Sequence, residues 1–126
     1  MTSAELRSAL AQHSGTQTYT SYSYSGATVF RMTDGVVDMR DKAQAYWLID
    51  AIASHQTTPN VRAERFQAWH LKHCGKNSGA MLKVTDGNSS LVIATQRIAY
   101  TEFPLDDGKS FDLWLVDGVL MLPGGY

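Results

Sequence analysis

Five short runs of strand-forming residues fill the second half of the chain, and they constrain the fold more than any other feature. The runs span 66–73, 80–85, 91–100, 111–116 and 119–122. Gly, Asn or Asp residues separate most neighbouring runs, as is typical of turns. The last two runs flank Asp117-Gly118, which suits a type I′ hairpin because both central residues of that turn need positive φ. The second half therefore predicts a meander of antiparallel strands.

Two helices are predicted in the first half of the chain. Thr2 and Glu5 have the spacing of a capping box, which indicates a short helix over about 3–12. A second, longer helix is predicted over about 38–56, because an aspartate can cap its start and Pro59 prevents much continuation beyond its end. These two helices precede almost all of the predicted strands.

The segment between the helices is harder to assign. Residues 16–26 are rich in hydroxyl groups and tyrosine without apolar alternation, so we predict an irregular or edge segment leading into a strand at 27–33. A chain of 126 residues can bury about two-thirds of its unfolded surface, and we predict one domain over 1–126. We expect an α+β fold, in which an antiparallel five- to six-stranded meander sheet packs against one long helix beside the short N-terminal helix.

The predicted long helix carries apolar side chains on more than one side. At about 100° per residue, one stripe should pack on the sheet. The stripe consists of Ala45, Leu48, Ile49, Ile52 and Gln56. Tyr46, Trp47 and Asp50 fall on the other half of the helix. Trp47 is then either covered by the N-terminal helix or the tyrosine-rich segment, or exposed as part of an anchor patch for a protein partner.

Composition excludes several classes of function. The net charge of −1 gives no bulk attraction to nucleic acid or to an anionic membrane. Cys74 is the only cysteine, which excludes an intrachain disulfide and zinc sites built from paired cysteines. The sequence starts without a signal-type segment, and no apolar run approaches the roughly 20 residues that cross a bilayer. We expect a soluble cytoplasmic protein that uses no cofactor and does not contact a membrane.

The segment His70-Leu71-Lys72-His73-Cys74 is the strongest candidate for a metal or nucleophile site. On a strand, alternation sends the two histidines to opposite faces, whereas His70 and Cys74 share a face but lie apart along it. We therefore expect no metal site and assign no catalytic residue. A small hydrolase that uses His70, His73 or Cys74 stays open as an alternative.

Charge is unevenly distributed along the chain. Residues 62–76 contain Arg62, Arg65, Lys72 and Lys76 against one acidic residue, with Trp69 among them. Aromatic residues among basic ones are typical of single-strand binding, but alternation separates Trp69 from Lys72, so nucleic acid is the less favoured partner. The opposite bias at 102–117, which includes Asp106 and Asp107, could attract a basic partner or a second copy in a homodimer.

Six motifs occur in order along the chain. They are Thr33-Asp34-Gly35-Val36, the stretch from Ala45 to Ser54, the stretch from Phe66 to Leu71, Asp86-Gly87-Asn88, the stretch from Tyr100 to Leu105, and the closing stretch from Leu122 to Tyr126. Together they resemble a small bacterial and phage family that is catalogued only as a domain of unknown function. The resemblance spans about 15–126. It implies a stand-alone protein, often carried by phages or mobile elements, and it assigns no functional residues.

We expect a non-catalytic protein that acts by protein–protein interaction, of the kind that phages and mobile elements use to modulate or inhibit a host defence system. No acid, base, nucleophile or metal-ligand group is brought together by the sequence pattern, while the aromatic bulk exceeds one packing layer. The candidate partner-binding residues are Tyr46, Trp47, Asp50, Trp69, Asp106 and Asp107. A nucleic-acid-binding protein that uses the basic residues of 62–76 and a small hydrolase remain the alternatives.

Overall fold

A computed structural model describes residues 2–11, 18–24, 26–74, 79–87, 91–99, 101, 103–105 and 110–123. Its helices within these residues are α1 (Ser3–Leu10), α2 (Asp34–Lys42), α3 (Tyr46–His55) and α4 (Pro59–Arg62). Its strands are β1 (Thr20–Tyr24), β2 (Ala27–Met32), β3 (Phe66–His73), β4 (Ala80–Thr85), β5 (Val92–Ile98), β6 (Ser110–Val116) and β7 (Val119–Met121).

The seven strands form one mixed sheet in the order β1-β2-β7-β6-β3-β4-β5. The β2–β7 pair is parallel, with Arg31 opposite Val119, and the other neighbouring pairs are antiparallel. The α+β class holds, but the predicted five- to six-stranded antiparallel meander is wrong. Strand β1 is an edge strand within the segment predicted to be irregular or edge, and it adds a strand to the predicted count. Strand β6 pairs with β3 rather than with the preceding β5.

The single long helix predicted over 38–56 is also wrong, because the chain breaks between α2 and α3. Gln44 adopts positive φ (51°), and the Ala45 N–H bonds to the Arg40 carbonyl at 2.9 Å. This six-to-one bond around a left-handed residue is the Schellman ending of a helix. Glycine usually occupies the left-handed position, so a glutamine there gave no signal of a break.

Side-chain caps define the starts of two helices. The Thr2 hydroxyl accepts a hydrogen bond of 3.1 Å from the Glu5 N–H, which confirms the predicted start of α1. Helix α2 begins after Thr33, whose hydroxyl accepts from the Val36 N–H at 3.4 Å. The predicted cap, Asp38, therefore lies inside α2 rather than at its start.

The hairpin between β6 and β7 confirms the most specific turn prediction. Val116 and Val119 pair across it, while Asp117 and Gly118 adopt φ values of 48° and 81°. Both central residues thus have the positive φ that a type I′ turn requires. The bounds of β3 and β4 also match the predicted runs.

All four described helices pack on the same face of the sheet. Each contributes buried side chains to one core cluster, which also contains the buried side chains of that sheet face. The helix residues include Leu6, Leu10, Val36, Met39, Leu48, Ile49, Ile52 and Val61, and the sheet residues include Phe30, Met32, Trp69, Leu71, Leu82, Val84, Leu113, Leu115 and Leu120. Because side chains alternate along a strand, the residues between them point to the opposite face, which we call the far face.

Candidate functional site

Tyr46 is an exposed member of the three residues predicted to form an anchor patch on α3. The residue is 54% exposed, and its hydroxyl donates a hydrogen bond to Asp41 Oδ1 at 2.9 Å. The Arg40 guanidinium lies 4.9 Å from the ring centroid. Two hydrogen bonds lower the pKa of Asp41, and the bond from the Tyr46 hydroxyl has a larger effect than the bond from Arg40. The bond between Tyr46 and Asp41 also raises the pKa of Tyr46. Tyr46 is therefore held in a local polar cluster.

Trp47 and Asp50, the other two members of that patch, have different surroundings. Trp47 is half-buried and packs against the main core, so it is neither fully covered nor fully exposed. Asp50 is exposed and accepts a hydrogen bond of 2.6 Å from the Tyr22 hydroxyl, which links α3 to β1. Tyr46 is thus the one member of the three with a large exposed apolar surface.

Trp69, which was predicted to bind a partner, is only 1% exposed and so cannot contact a partner in the folded chain. Its indole N–H donates to Gln67 Oε1 at 3.0 Å, and the Gln67 amide donates to the Val61 carbonyl at 2.9 Å. This buried network ties β3 to α4. The other two predicted partner residues, Asp106 and Asp107, lie outside the described residues.

The basic residues of the nucleic-acid alternative do not form one stripe. Arg62 ends α4 on the helical side, whereas Lys72 is exposed on the far face of β3. Arg65 lies before β3, and its guanidinium Nε is 3.2 Å from Asp117 Oδ1. Lys76 lies outside the described residues. The three described residues therefore point in different directions.

The segment from His70 to Cys74 does not converge on one site. His70 lies on the far face, whereas His73 alternates to the face that the helices cover, and Cys74 is exposed beyond the end of the strand. Across the described parts of the chain, no three His, Cys, Asp or Glu side chains are grouped as metal ligands would be.

One contact of His70 had no local sequence signal. Its Nδ1 atom lies 2.8 Å from Asp112 Oδ1, across the β3–β6 pair. The Ser110 hydroxyl donates to the same carboxylate oxygen at 2.6 Å. These residues come together only through strand register. They lie on the far face with Lys72 and Lys83, and we call the five residues the polar patch.

The polar patch has a defined electrostatic arrangement. The pKa of the Asp112 carboxyl lies below its usual value, mainly because of the hydrogen bond from His70. The hydrogen bond from Ser110 and the positive charge of Lys83 lower it further, whereas burial raises it. Because Ser110 bonds to Asp112 and not to His70, the nucleophile-to-base contact of a Ser–His–Asp triad is not made. The arrangement orients the His70 imidazole on a face that also carries the positively charged Lys72 and Lys83.

An apolar patch adjoins the polar patch on the far face. We call it the sheet patch, and it consists of Phe66, Ala68, Trp114, Val116, Val119 and Met121. The Phe66 and Trp114 rings lie 5.4 Å apart between centroids at an angle of 53°. Ala68 and Met121 are buried, yet neither belongs to the core cluster beneath the helices. The sheet patch is therefore a second apolar cluster.

A small cavity lies between α1 and the start of β6. The space within it, part of which is open to solvent, is about 220 Å³. Its lining residues are Ser3, Leu6, Arg7, Pro104, Leu105, Ser110 and Phe111. Pockets for small molecules are usually about 300–1,000 Å³, so the size of this cavity does not indicate a small-molecule site.

Comparison with known proteins places the chain in a family. The sequence model of DUF6876, described as a family of unknown function, matches residues 4–126. The chain belongs to DUF6876. Its membership confirms the resemblance to a domain of unknown function, and the match extends further toward the N-terminus than the motifs did. Neither a curated protein nor a solved structure matches the chain.

Membership in DUF6876 assigns no activity to the chain, whose candidate surfaces are those that its own geometry presents. In the described residues, no helix has the length and apolar character needed to cross a membrane. The sheet patch and the polar patch meet on the far face, where side chains of β3 and β6 from both patches are neighbours.

Proposed function

We propose that the chain is a non-catalytic binding protein that engages a protein partner through the sheet patch. The observation that carries this proposal is the position of Phe66 and Trp114. Their rings lie side by side on the face opposite the described helices, outside the main core. Aromatic residues beside aliphatic ones are enriched at the centres of protein interfaces.

The shape of the far face supports this proposal. One row of residues crosses five strands, and each residue is opposite the next in register. The row is Met121, Trp114, Ala68, Thr85 and Val92. Its side-chain polar groups are the Thr85 hydroxyl and the Trp114 indole N–H. Val92 at the end of the row is 40% exposed. Met121, Ala68 and Thr85 are buried, so a partner would meet this row at the half-buried Trp114 ring and at Val92.

We place this interaction in the bacterial cytoplasm and propose a host protein, such as a component of a defence system, as the partner. The ground for this part is the resemblance to proteins of phages and mobile elements. The helix surface around Tyr46 remains a second candidate surface for the same function, because its ring is exposed.

Affinity capture with matched variants tests the proposal. Wild-type protein, Trp114→Ser, Val119→Lys and the helix-side control Tyr46→Ser would be immobilised and exposed to a bacterial lysate. Captured proteins would be identified by mass spectrometry and then titrated in purified form. Circular dichroism would establish that each variant is folded.

We expect the wild type and Tyr46→Ser to retain the same partner, and both sheet-patch variants to lose it. A partner that is lost with Tyr46→Ser but retained by both sheet-patch variants would overturn the sheet patch and favour the helix surface. Capture of single-stranded nucleic acid instead of a protein would overturn the proposed class of partner.

A further inference from the structure

The far face carries a positive charge that the chain as a whole does not. The charged residues on its strands are Arg31, Lys72, Lys83, Arg97 and Asp112. Four of these five are basic, whereas the complete chain has a net charge of −1. The positive charge is therefore concentrated on the face that carries the sheet patch.

The one acidic residue of this group, Asp112, offsets one of the four positive charges, which leaves an excess of three positive charges on these strands. Asp112 already accepts hydrogen bonds from His70 and Ser110 at 2.8 and 2.6 Å. Lys72 and Lys83, in contrast, form no salt bridge with any residue that the structure describes. Their ammonium groups are the charges that an approaching partner would meet beside the aromatic rings.

The two patches lie at a short distance from each other. His70 is opposite Lys83, and the next far-face residue along β3 is Ala68, which is opposite Trp114. Two residues along a strand span about 6.5 Å. A side chain that packs on Trp114 therefore brings its neighbours within reach of Lys83.

We infer that the partner presents an acidic segment, in which Asp or Glu side chains flank a bulky apolar anchor. The anchor packs on Phe66 and Trp114, and the carboxylates pair with Lys72 and Lys83. This inference rests on the proposed function and names the chemistry of the partner. Charge complementarity of this kind sets specificity and the rate of association.

Other occupants of the far face are less well matched. Two copies of the chain placed face to face would bring like charges together, which is unfavourable. Single-stranded nucleic acid prefers exposed aromatic platforms, whereas Phe66 and Trp114 are half-buried and tilted by 53°. The aliphatic residues Val116 and Val119 beside them suit protein side chains better than bases.

Selection from a displayed library of random peptides tests this inference. The baits are the wild type, Trp114→Ser, the double variant Lys72→Glu/Lys83→Glu, and Arg62→Glu as the charge control on the helical side. Enriched peptides would be synthesised and titrated against each bait by fluorescence anisotropy. A single-stranded oligonucleotide would serve as competitor, and sedimentation would report dimers.

We expect wild type and Arg62→Glu to enrich peptides that combine Asp or Glu with a bulky apolar residue. The double variant should bind them about tenfold more weakly or worse, and Trp114→Ser should lose them. Peptides that need Trp114 but lack acidic residues would overturn the inference and leave the proposed function standing.

Two further results would separate the remaining possibilities. If no enriched peptide depends on Trp114, the proposed function fails together with the inference. If the oligonucleotide displaces the peptides at a lower concentration than an acidic peptide does, the far face binds nucleic acid and the inference is overturned. If the wild type forms a dimer that Trp114→Ser dissociates, the far face binds a second copy, which also overturns the inference.

Discussion

His70 Nδ1 lies 2.8 Å from Asp112 Oδ1, although 42 positions separate the two residues in the chain. The contact exists because β6 pairs with β3 in the register that sets these residues opposite each other. It joins the two strands at the centre of the far face, beside the rings of the sheet patch. Its contribution to stability can be measured.

Asp112 should make the folded chain less stable in acid. Its folded-state pKa is lowered, so the group stabilises the fold above its unfolded pKa of about 3.9, and that contribution is lost as pH falls through the folded pKa. Asp112→Asn should lower the free energy of unfolding at neutral pH by about 1 kcal/mol, since the group is partly exposed. Thermal melts between neutral and acidic pH measure this.

The control Asp117→Asn should change stability by less than about 0.5 kcal/mol. Equal pH profiles of stability for the wild type and Asp112→Asn would contradict the prediction.

Gln67 should be among the most costly polar residues to replace. It is 2% exposed, and its side-chain amide serves Trp69, Val61 and Gln56 together. Gln67→Leu removes the acceptor of the buried Trp69 indole N–H and both hydrogen bonds with Gln56, whereas the Val61 carbonyl still accepts from the Glu64 N–H. We therefore expect a loss of about 2–3 kcal/mol in urea unfolding. A loss below about 1 kcal/mol would mean that water reaches the network.

Gln44 should be a site where glycine stabilises the chain. Its φ of 51° lies in the left-handed region, which a non-glycine residue adopts at a cost of about 1–2 kcal/mol. Gln44→Gly should therefore raise the melting temperature, with a gain of up to about 1 kcal/mol, while Gln44→Val should lower it. A lower melting temperature for Gln44→Gly would contradict the break between α2 and α3.

Gly79 and Gly118 form a matched pair. Both have positive φ, at 74° and 81°, but a Cβ on Gly79 would lie 2.0 Å from the Ile98 carbonyl oxygen, whereas a Cβ on Gly118 would meet nothing within 4 Å. Gly118→Ala should cost only the conformational strain, about 1–2 kcal/mol. Gly79→Ala adds a clash with backbone and should cost about 3 kcal/mol or more. Chemical denaturation of both variants tests this, and equal losses would contradict the close approach at Gly79.

Local elements were largely predictable from the sequence. The cap at Thr2, the turn at Asp117-Gly118 and the limits of β3 and β4 each depend on a few neighbouring residues, and the structure confirms them. Helical periodicity also separated Leu48, Ile49 and Ile52, which are buried, from the exposed Tyr46 on α3. These features follow from steric and hydrogen-bonding preferences that operate within a few residues.

The candidate site was less predictable. Strand alternation correctly separated Trp69 from Lys72, but it could not tell which of the two faces the helices would cover. Trp69 was therefore counted among the partner residues, although it lies in the core. Phe66 and Trp114 were not predicted as site residues, because no local sequence pattern indicates that β6 and β3 are neighbours.

The amino-acid sequence was sufficient for the elements whose energetics are local, namely the capped helix, the hairpin and the alternating strands. The tertiary structure alone decided the strand order, the parallel β2–β7 pair, the break at Gln44 and the meeting of His70 with Asp112. These depend on contacts between distant residues, and such contacts are selected by the burial of the whole sheet against the helices rather than by any short stretch of sequence.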